Sequence, residues 1–298
     1  MTDVVFDNGY EADAWREIRD WEERPDARLS QLLRTAGRPL GAAADALLKL
    51  PALTRGADRL GDTMRGASTA LAGTVDVQQV LTKTGARLGR PVLDLHDLRR
   101  VDLRTLDAQA AGLDRRYIAL ASASGGAAGA TASLPGGTLL AMGALGADVV
   151  ASTTLMLKAI ATYGTHYGRD MTSQQEAQFA VGLLSLGAVA GDAQSRGVML
   201  TELHSVSALL ARGATWSELS RHTSVKALQA VFDKLGLRLT KRKLAQVVPF
   251  FGAAAGGTLG AALADGTCQA ASMQYRRRYL LDKYPDLAST GVIDRRRR

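Results

Sequence analysis

Three long stretches of this chain carry no charge. Tyr117 to Ala147 is 31 residues without an acid or base, Ala177 to Gly191 is 15, and Leu244 to Ala264 is 21. Gly and Ala are abundant in them, and their glycines recur at a fixed interval. Gly125 and Gly129 are four apart, as are Gly187 and Gly191, while Gly252, Gly256 and Gly260 make a double step that Ala264 extends. Residues four apart share one face of a helix. Each set therefore forms a smooth stripe along which a second helix can approach backbone to backbone. A helical glycine costs roughly 1 kcal/mol relative to alanine, so close packing must recover that cost. The fold class this points to is all-α, a multi-helix bundle with Gly/Ala-rich apolar helical hairpins.

Strand signals are almost absent, because β-branched and aromatic residues nowhere alternate with polar ones for long. Helix punctuation is plentiful. An amphipathic helix is predicted from Gly9 to Arg24, ending at Pro25, with further helices at 26–36, 39–49 and 52–85. Residues 85–100, broken by Gly89 and Pro91, read as a connector. This divides a 1–100 N-terminal helical region from a 101–298 helical domain. Asp102 is expected to cap one helix over 103–134, and Pro135-Gly136-Gly137 turns the chain into a second over 138–167. Ser173 and Glu176 have capping-box spacing at the start of the next. Helices are expected at 193–212 and 217–235, a short one from Thr240, and a long last one over 250–283.

A spanning helix needs about 20 apolar residues, so length alone would admit the first and third uncharged stretches. Composition speaks against it. Leu, Ile, Phe and Val supply most transfer energy, whereas these segments are Gly- and Ala-rich and interrupted by Pro135 and Pro249. The readings left are a buried hairpin in a bundle and a hairpin that inserts shallowly.

Charge is distributed unevenly. Residues 1–24 hold eight acids against three arginines, a net of −5, while the whole chain is +8. Such a start is the opposite of a basic, apolar secretory leader. With the lone cysteine, Cys268, it leads to the expectation of a cytoplasmic protein, peripheral on the inner membrane. The basic cluster Arg276, Arg277 and Arg278 is a candidate contact for anionic lipid. Solubilising an apolar protein is its plainer role. Nucleic acid is not an expected partner, because aromatics for base stacking are scarce near the arginines.

Asp148, Tyr163 and His166 form the candidate polar site. Asp148 is the only charge between Tyr117 and Lys158 and needs a partner on so apolar a helix. Tyr163 and His166 fall in Tyr163-Gly164-Thr165-His166-Tyr167-Gly168, which looks like a capped helix end. The tyrosines suit a lipid interface or a core. Asp94-Leu95-His96-Asp97 offers too few ligands for a metal site, which needs three or four. Gly125-Gly126-Ala127-Ala128-Gly129 has neither a preceding strand nor a following Lys-Ser/Thr, so it is no phosphate loop. Ser122 and Ser124 lack a GxSxG context. No catalytic residue, cofactor or metal is assigned; the sequence leaves open whether the chain is an enzyme and favours a non-catalytic role.

Taken in order, a further set of segments carries a resemblance. Ala123 to Ala130 leads to Leu134-Pro135, and an apolar helix ends in Ala161-Thr162-Tyr163-Gly164. Gln174-Gln175-Glu176 follows, then Pro249-Phe250-Phe251-Gly252, and finally Ala271 to Leu280 with its three arginines. Over about residues 115–280 the chain resembles the EcsC family. It departs from the family in having Gly136-Gly137-Thr138 where an acid is common, and Gly260 where an asparagine is common. The resemblance implies a bacterial helical protein with a membrane or transporter connection and implies no reaction. The expected function is thus a non-catalytic, membrane-associated protein, accessory to a transporter or secretion system, whose partner is a membrane surface or membrane protein. The alternatives are a soluble binder of a lipid or other apolar ligand and an enzyme with an unrecognised site.

Overall fold

The computed structural model describes residues 5–24, 71, 75–132, 137–188, 193–215, 217–218 and 252–287; side-chain surroundings are described except at 125–132, 137–150, 252–257 and 259. The fold is all-α, and no strand occurs among the described residues. In chain order the helices are α1 (Gly9–Glu23), α2 (Val77–Leu88), α3 (Leu95–Leu98), α4 (Leu103–Ala110), α5 (Leu113–Ala132), α6 (Gly137–His166), α7 (Gln174–Ala188), α8 (Ala193–Ala211) and α9 (Gly252–Lys283).

Local chemistry sets most of the boundaries. Asn8 caps α1 by accepting from the Glu11 N–H at 3.0 Å, Asp76 caps α2 from Gln79, and Asp102 caps α4 from Thr105. Ser173 Oγ accepts the Glu176 N–H at 3.2 Å, which is half of the expected capping box. The other half is missing because the Glu176 carboxylate is taken by Arg278 instead. One helix was expected over 103–134, but the chain forms two. Gly112 adopts a left-handed φ of 86°, which turns the backbone between α4 and α5. Gly168, at φ 73°, closes the segment after α6; an added Cβ there would meet the Leu95 carbonyl at 2.5 Å. The helices expected at 26–36, 39–49 and from Thr240, and nearly all of that at 217–235, lie outside the described residues.

Among the described residues, α5, α6, α7 and α9 pack together, and their contacts fix their directions. Tyr117 at the start of α5 bonds Thr162 near the end of α6 (2.8 Å), so these two make an antiparallel hairpin. Glu176 and Gly187 of α7 meet Arg278 and Thr267 of α9, so that pair is antiparallel too. At one level Gly260 of α9 lies against Ala121 of α5, where an added Cβ would sit 2.6 Å from the Ala121 carbonyl. At Gly187 it would meet Thr267 Cα at 2.7 Å. The glycine stripes therefore do what their spacing predicts at these two points. Gly125, Gly129, Gly252 and Gly256 stand in helix, with surroundings outside the described ones.

The core is continuous. Ala14 and Ile18 of α1 and Val80 and Leu81 of α2 join the same apolar cluster as Ile160, Phe179, Leu183, Leu203 and Tyr275. Helices from residues 1–100 thus pack into one core with those that follow.

Candidate functional site

The base of the bundle is where charge collects. The last turns of α9 carry Gln274, Arg276, Arg277, Arg278, Asp282 and Lys283, and acidic side chains from α1, α4 and α7 close around them. Arg276, Arg277 and Arg278 were expected to face anionic lipid. They are instead taken up inside, each against a carboxylate. The physical reason is that the acidic first helix and the basic last helix are electrostatic complements, and pairing them neutralises charge that packing has taken from water.

Arg278 is the deepest. Its Nη1 and Nη2 donate to the two oxygens of Glu176 at 2.6 and 2.7 Å, and its guanidinium lies 4.5 Å over the Phe179 ring. Burial, the largest influence, would raise the Glu176 pKa, but the charge and hydrogen bonds of Arg278 together with the charges of Arg169 and Arg99 hold it below the ordinary carboxylate value. Arg169 donates to Asp282 at 2.7 Å. Burial, helped by the like charge of Arg278, pulls the Arg169 pKa down to about 10.

Glu22 is a second hub. Its Oε1 accepts from His204 Nε2 at 2.8 Å and Gln274 Nε2 at 2.9 Å, with Arg277 Nε at 3.4 Å. Burial raises its pKa, yet these partners together leave it lowered. Arg196, on α8, donates to the carbonyls of Trp21 (2.7 Å), Arg24 (2.9 Å) and Glu22 (3.2 Å), capping the C-terminus of α1. At the other end, Lys283 Nζ donates to both oxygens of fully buried Glu11 (2.9 and 3.0 Å) and pairs with Asp7 at 2.8 Å.

Between these hubs lies a cleft of about 450 Å³. Tyr10 and Glu17 of α1 form one wall, and Gln269, Ser272, Met273 and Arg276 of α9 another. The turn from Ala110 to Arg115 makes the third, with Tyr163, Tyr167 and Cys268 behind it. Asp107 organises the cleft. Tyr10 donates to its Oδ2 at 2.7 Å and Tyr167 to its Oδ1 at 2.6 Å. Arg276 Nε stands 3.1 Å from Oδ2 in an ion-pair contact outside hydrogen-bond alignment, while Arg276 Nη1 donates to Glu17 at 2.8 Å. Burial raises the Asp107 pKa, and these cationic and hydroxyl partners offset it only in part. Burial, with Asp114 nearby, lifts the Cys268 thiol to about 12, so it stays protonated and unreactive.

Two residues of the candidate polar site, Tyr163 and His166, lie among those with described surroundings. Tyr163 lines the cleft, where burial raises its pKa. His166 contacts the Thr162 carbonyl one turn back at 2.7 Å, and burial lowers its pKa. The surroundings of Asp148 lie outside the described residues. Both Tyr163 and Tyr167 are buried, which places these tyrosines in the core. Asp94 and Asp97 accept backbone N–H groups at the start of α3, and His96 faces Arg100 at 3.0 Å. Among the described residues no group of three or more His, Cys, Asp or Glu is placed to hold a metal ion.

Asp107 and Arg196 carry no mark in the sequence, and Glu176 is marked only as a capping residue and not as the partner of Arg278. The signal that was present is the opposition of the −5 start to the arginine cluster. Nothing local marks which acid meets which base, as Lys283 does Glu11 across 272 positions.

The sequence model of the EcsC protein family matches residues 12–280. It therefore starts inside α1 and covers Glu22, Asp107, Glu176 and Arg276 to Arg278 of the charged base as well as the glycine-stepped helices. No curated protein and no solved structure matches the chain.

Proposed function

The chain belongs to the EcsC family, and from that premise we propose that it is a non-catalytic, membrane-associated helical protein that meets a membrane or membrane protein with the uncharged end of its bundle. The resemblance implies a membrane or transporter connection, and an accessory role to a transporter or secretion system is part of the proposal. The observation that carries it is the separation of charge along the bundle. Beyond the level where Gly260 passes Ala121, α5 and α9 hold no charged residue. On α6, Asp148 is the one charge before Lys158, whose carbonyl lies beside Tyr117. Ionic groups crowd the opposite end.

Dimensions favour shallow contact. From Ala121 to Ala132, α5 rises about 18 Å at 1.5 Å per residue. That is about half the thickness of a hydrocarbon core of ~30 Å. Among the described residues no helix is long and apolar enough to cross a membrane. Because Arg276, Arg277 and Arg278 are engaged internally, the attraction is apolar rather than ionic. Subcellular fractionation tests this. The protein should pellet with membranes, stay there through a high-salt wash and leave in alkaline carbonate. Recovery in the supernatant before any wash refutes the proposal.

The cleft supports a second reading, binding of a small molecule. Its lining of Glu17, Asp107, Asp114, Arg115 and Arg276 suits a polar ligand better than a lipid tail. Native mass spectrometry of the purified protein checks it: a co-purifying polar small molecule supports this reading, and a co-purifying lipid or a bare protein counts against it.

A further inference from the structure

Helix α1 is held in a way that suits a ligand as well as a structural element. Its contacts form one stripe, Glu11, Ala14, Glu17 and Ile18, then Trp21 and Glu22, which is the i, i+3, i+4 ladder of a helix lying in a groove, and Asp7 adds to it from just before the N-cap Asn8. The groove answers it position by position. Lys283 takes Asp7 and Glu11, Arg276 takes Glu17, and Arg277, His204 and Gln274 take Glu22. Ala14 and Ile18 fill the apolar floor. Trp21 lies under the Arg196 guanidinium at 4.3 Å, and Trp15 beneath Arg277 at 5.7 Å.

Arg196 adds a feature that does not depend on the occupant's side chains. It binds three main-chain carbonyls at the end of α1, groups that every helix C-terminus presents. Cations along the wall select for acids, and Arg196 fixes where the helix must stop.

We propose that the groove formed by α8 and the basic end of α9 is a docking surface for an acidic amphipathic helix of a partner protein, with α1 as its resident occupant. Recognition requires a helix of about four turns with acids in the α1 register, small or branched apolar residues between them, and a C-terminus at Arg196. Because α1 belongs to the same chain, its docking is intramolecular and competes with any partner at a high effective concentration. A partner therefore binds the resting protein weakly and binds strongly once α1 is released. This inference is independent of membrane association, and its test contains no lipid unless lipid is added.

The probe is a fluorescent peptide of residues 5–24, titrated against the full-length protein by anisotropy. Two proteins are compared, the natural chain and a Glu17→Lys/Glu22→Lys variant whose own α1 is repelled from the groove. The variant should bind the peptide at least tenfold more tightly, with affinity falling as salt rises, and a peptide bearing the same two lysines should not bind. Equal affinity for both proteins, or no binding to a variant that circular dichroism shows to be folded, overturns the proposal. So does a variant that ignores the peptide but binds anionic vesicles or nucleic acid. Should the variant not fold, hydrogen exchange on the natural chain decides. Residues 9–23 should exchange through an opening that salt promotes and that leaves α7 and the end of α9 protected. Exchange of α1 only together with those helices overturns the proposal.

Discussion

At the scale of single residues, this protein trades solvation for pairing. Glu176 and Arg278 are both buried and bonded bidentately, so neither can lose its partner without leaving a charge in the core. Arg278→Ala should cost about 3–5 kcal/mol, the range for an orphaned buried charge. The paired change Glu176→Leu with Arg278→Met should recover most of that loss, as read from urea midpoints of the three proteins. Asp107 gives the opposite pH dependence from Glu176. The Glu176 pKa is lowered in the folded state, so its contribution is present above the unfolded value and disappears as pH falls through the folded one. The Asp107 pKa is raised, so its contribution is full below the unfolded value and is lost as pH rises through the folded one. Asp107→Asn has no carboxyl to titrate there. Its stability relative to the natural protein should therefore improve on going from pH 4 to pH 8, and denaturation across that range checks the sign. Composition made the two partner classes legible, with acids at one end of the sequence and arginines at the other. It could not pair them, because Coulomb complementarity between distant segments leaves no periodicity to read.

At the scale of helices, the glycine spacing was legible because a shared face follows from helix geometry alone. Its outcome can be tested by sign. Ordinarily Gly→Ala within a helix stabilises by about 1 kcal/mol. Gly197 of α8 has nothing within 4 Å of an added Cβ, so Gly197→Ala should raise the melting temperature. At Gly187 and Gly260 the added carbon would meet the backbone of a neighbouring helix at 2.7 and 2.6 Å. Backbone cannot swing aside as a side chain can, so Gly187→Ala and Gly260→Ala should lower stability by about 1–3 kcal/mol despite the better propensity. Thermal melts of the three variants decide it. If all three shift upward, the close approach of α9 to α5 and α7 is wrong. The break between α4 and α5 was less legible. Ala110-Ala111-Gly112-Leu113 contains no proline, and a lone glycine in a helical run is usually tolerated. What decides the matter is the left-handed backbone at Gly112.

At the scale of the whole molecule, the described ion pairs gather at one end of the bundle and the uncharged runs of α5 and α9 lie at the other, and the two ends make separable predictions. Leu120 is 45 % exposed and Ala123 also faces outward on α5, close to the level where the uncharged end begins. Neither Leu120→Arg nor Ala123→Arg needs a new internal partner, so the melting temperature should move little. Membrane contact is another matter. An arginine carried to the centre of a bilayer costs about 2.5–3.5 kcal/mol on insertion scales, and less near the interface. Even 1.4 kcal/mol is tenfold in an equilibrium. Each substitution should therefore weaken co-sedimentation with neutral phosphatidylcholine vesicles about tenfold, and the pair should abolish it. Substitutions in α1, at the opposite end, should leave vesicle binding unchanged while altering the salt dependence of α1 docking. If arginine at Leu120 and Ala123 leaves vesicle binding intact, the uncharged end is not the membrane-facing one. Were the charged end to carry the contact instead, raising salt would release the protein and the α1 variants would change its affinity. The two arrangements thus part company on the same assay, read against salt on one axis and against the position of the substitution on the other.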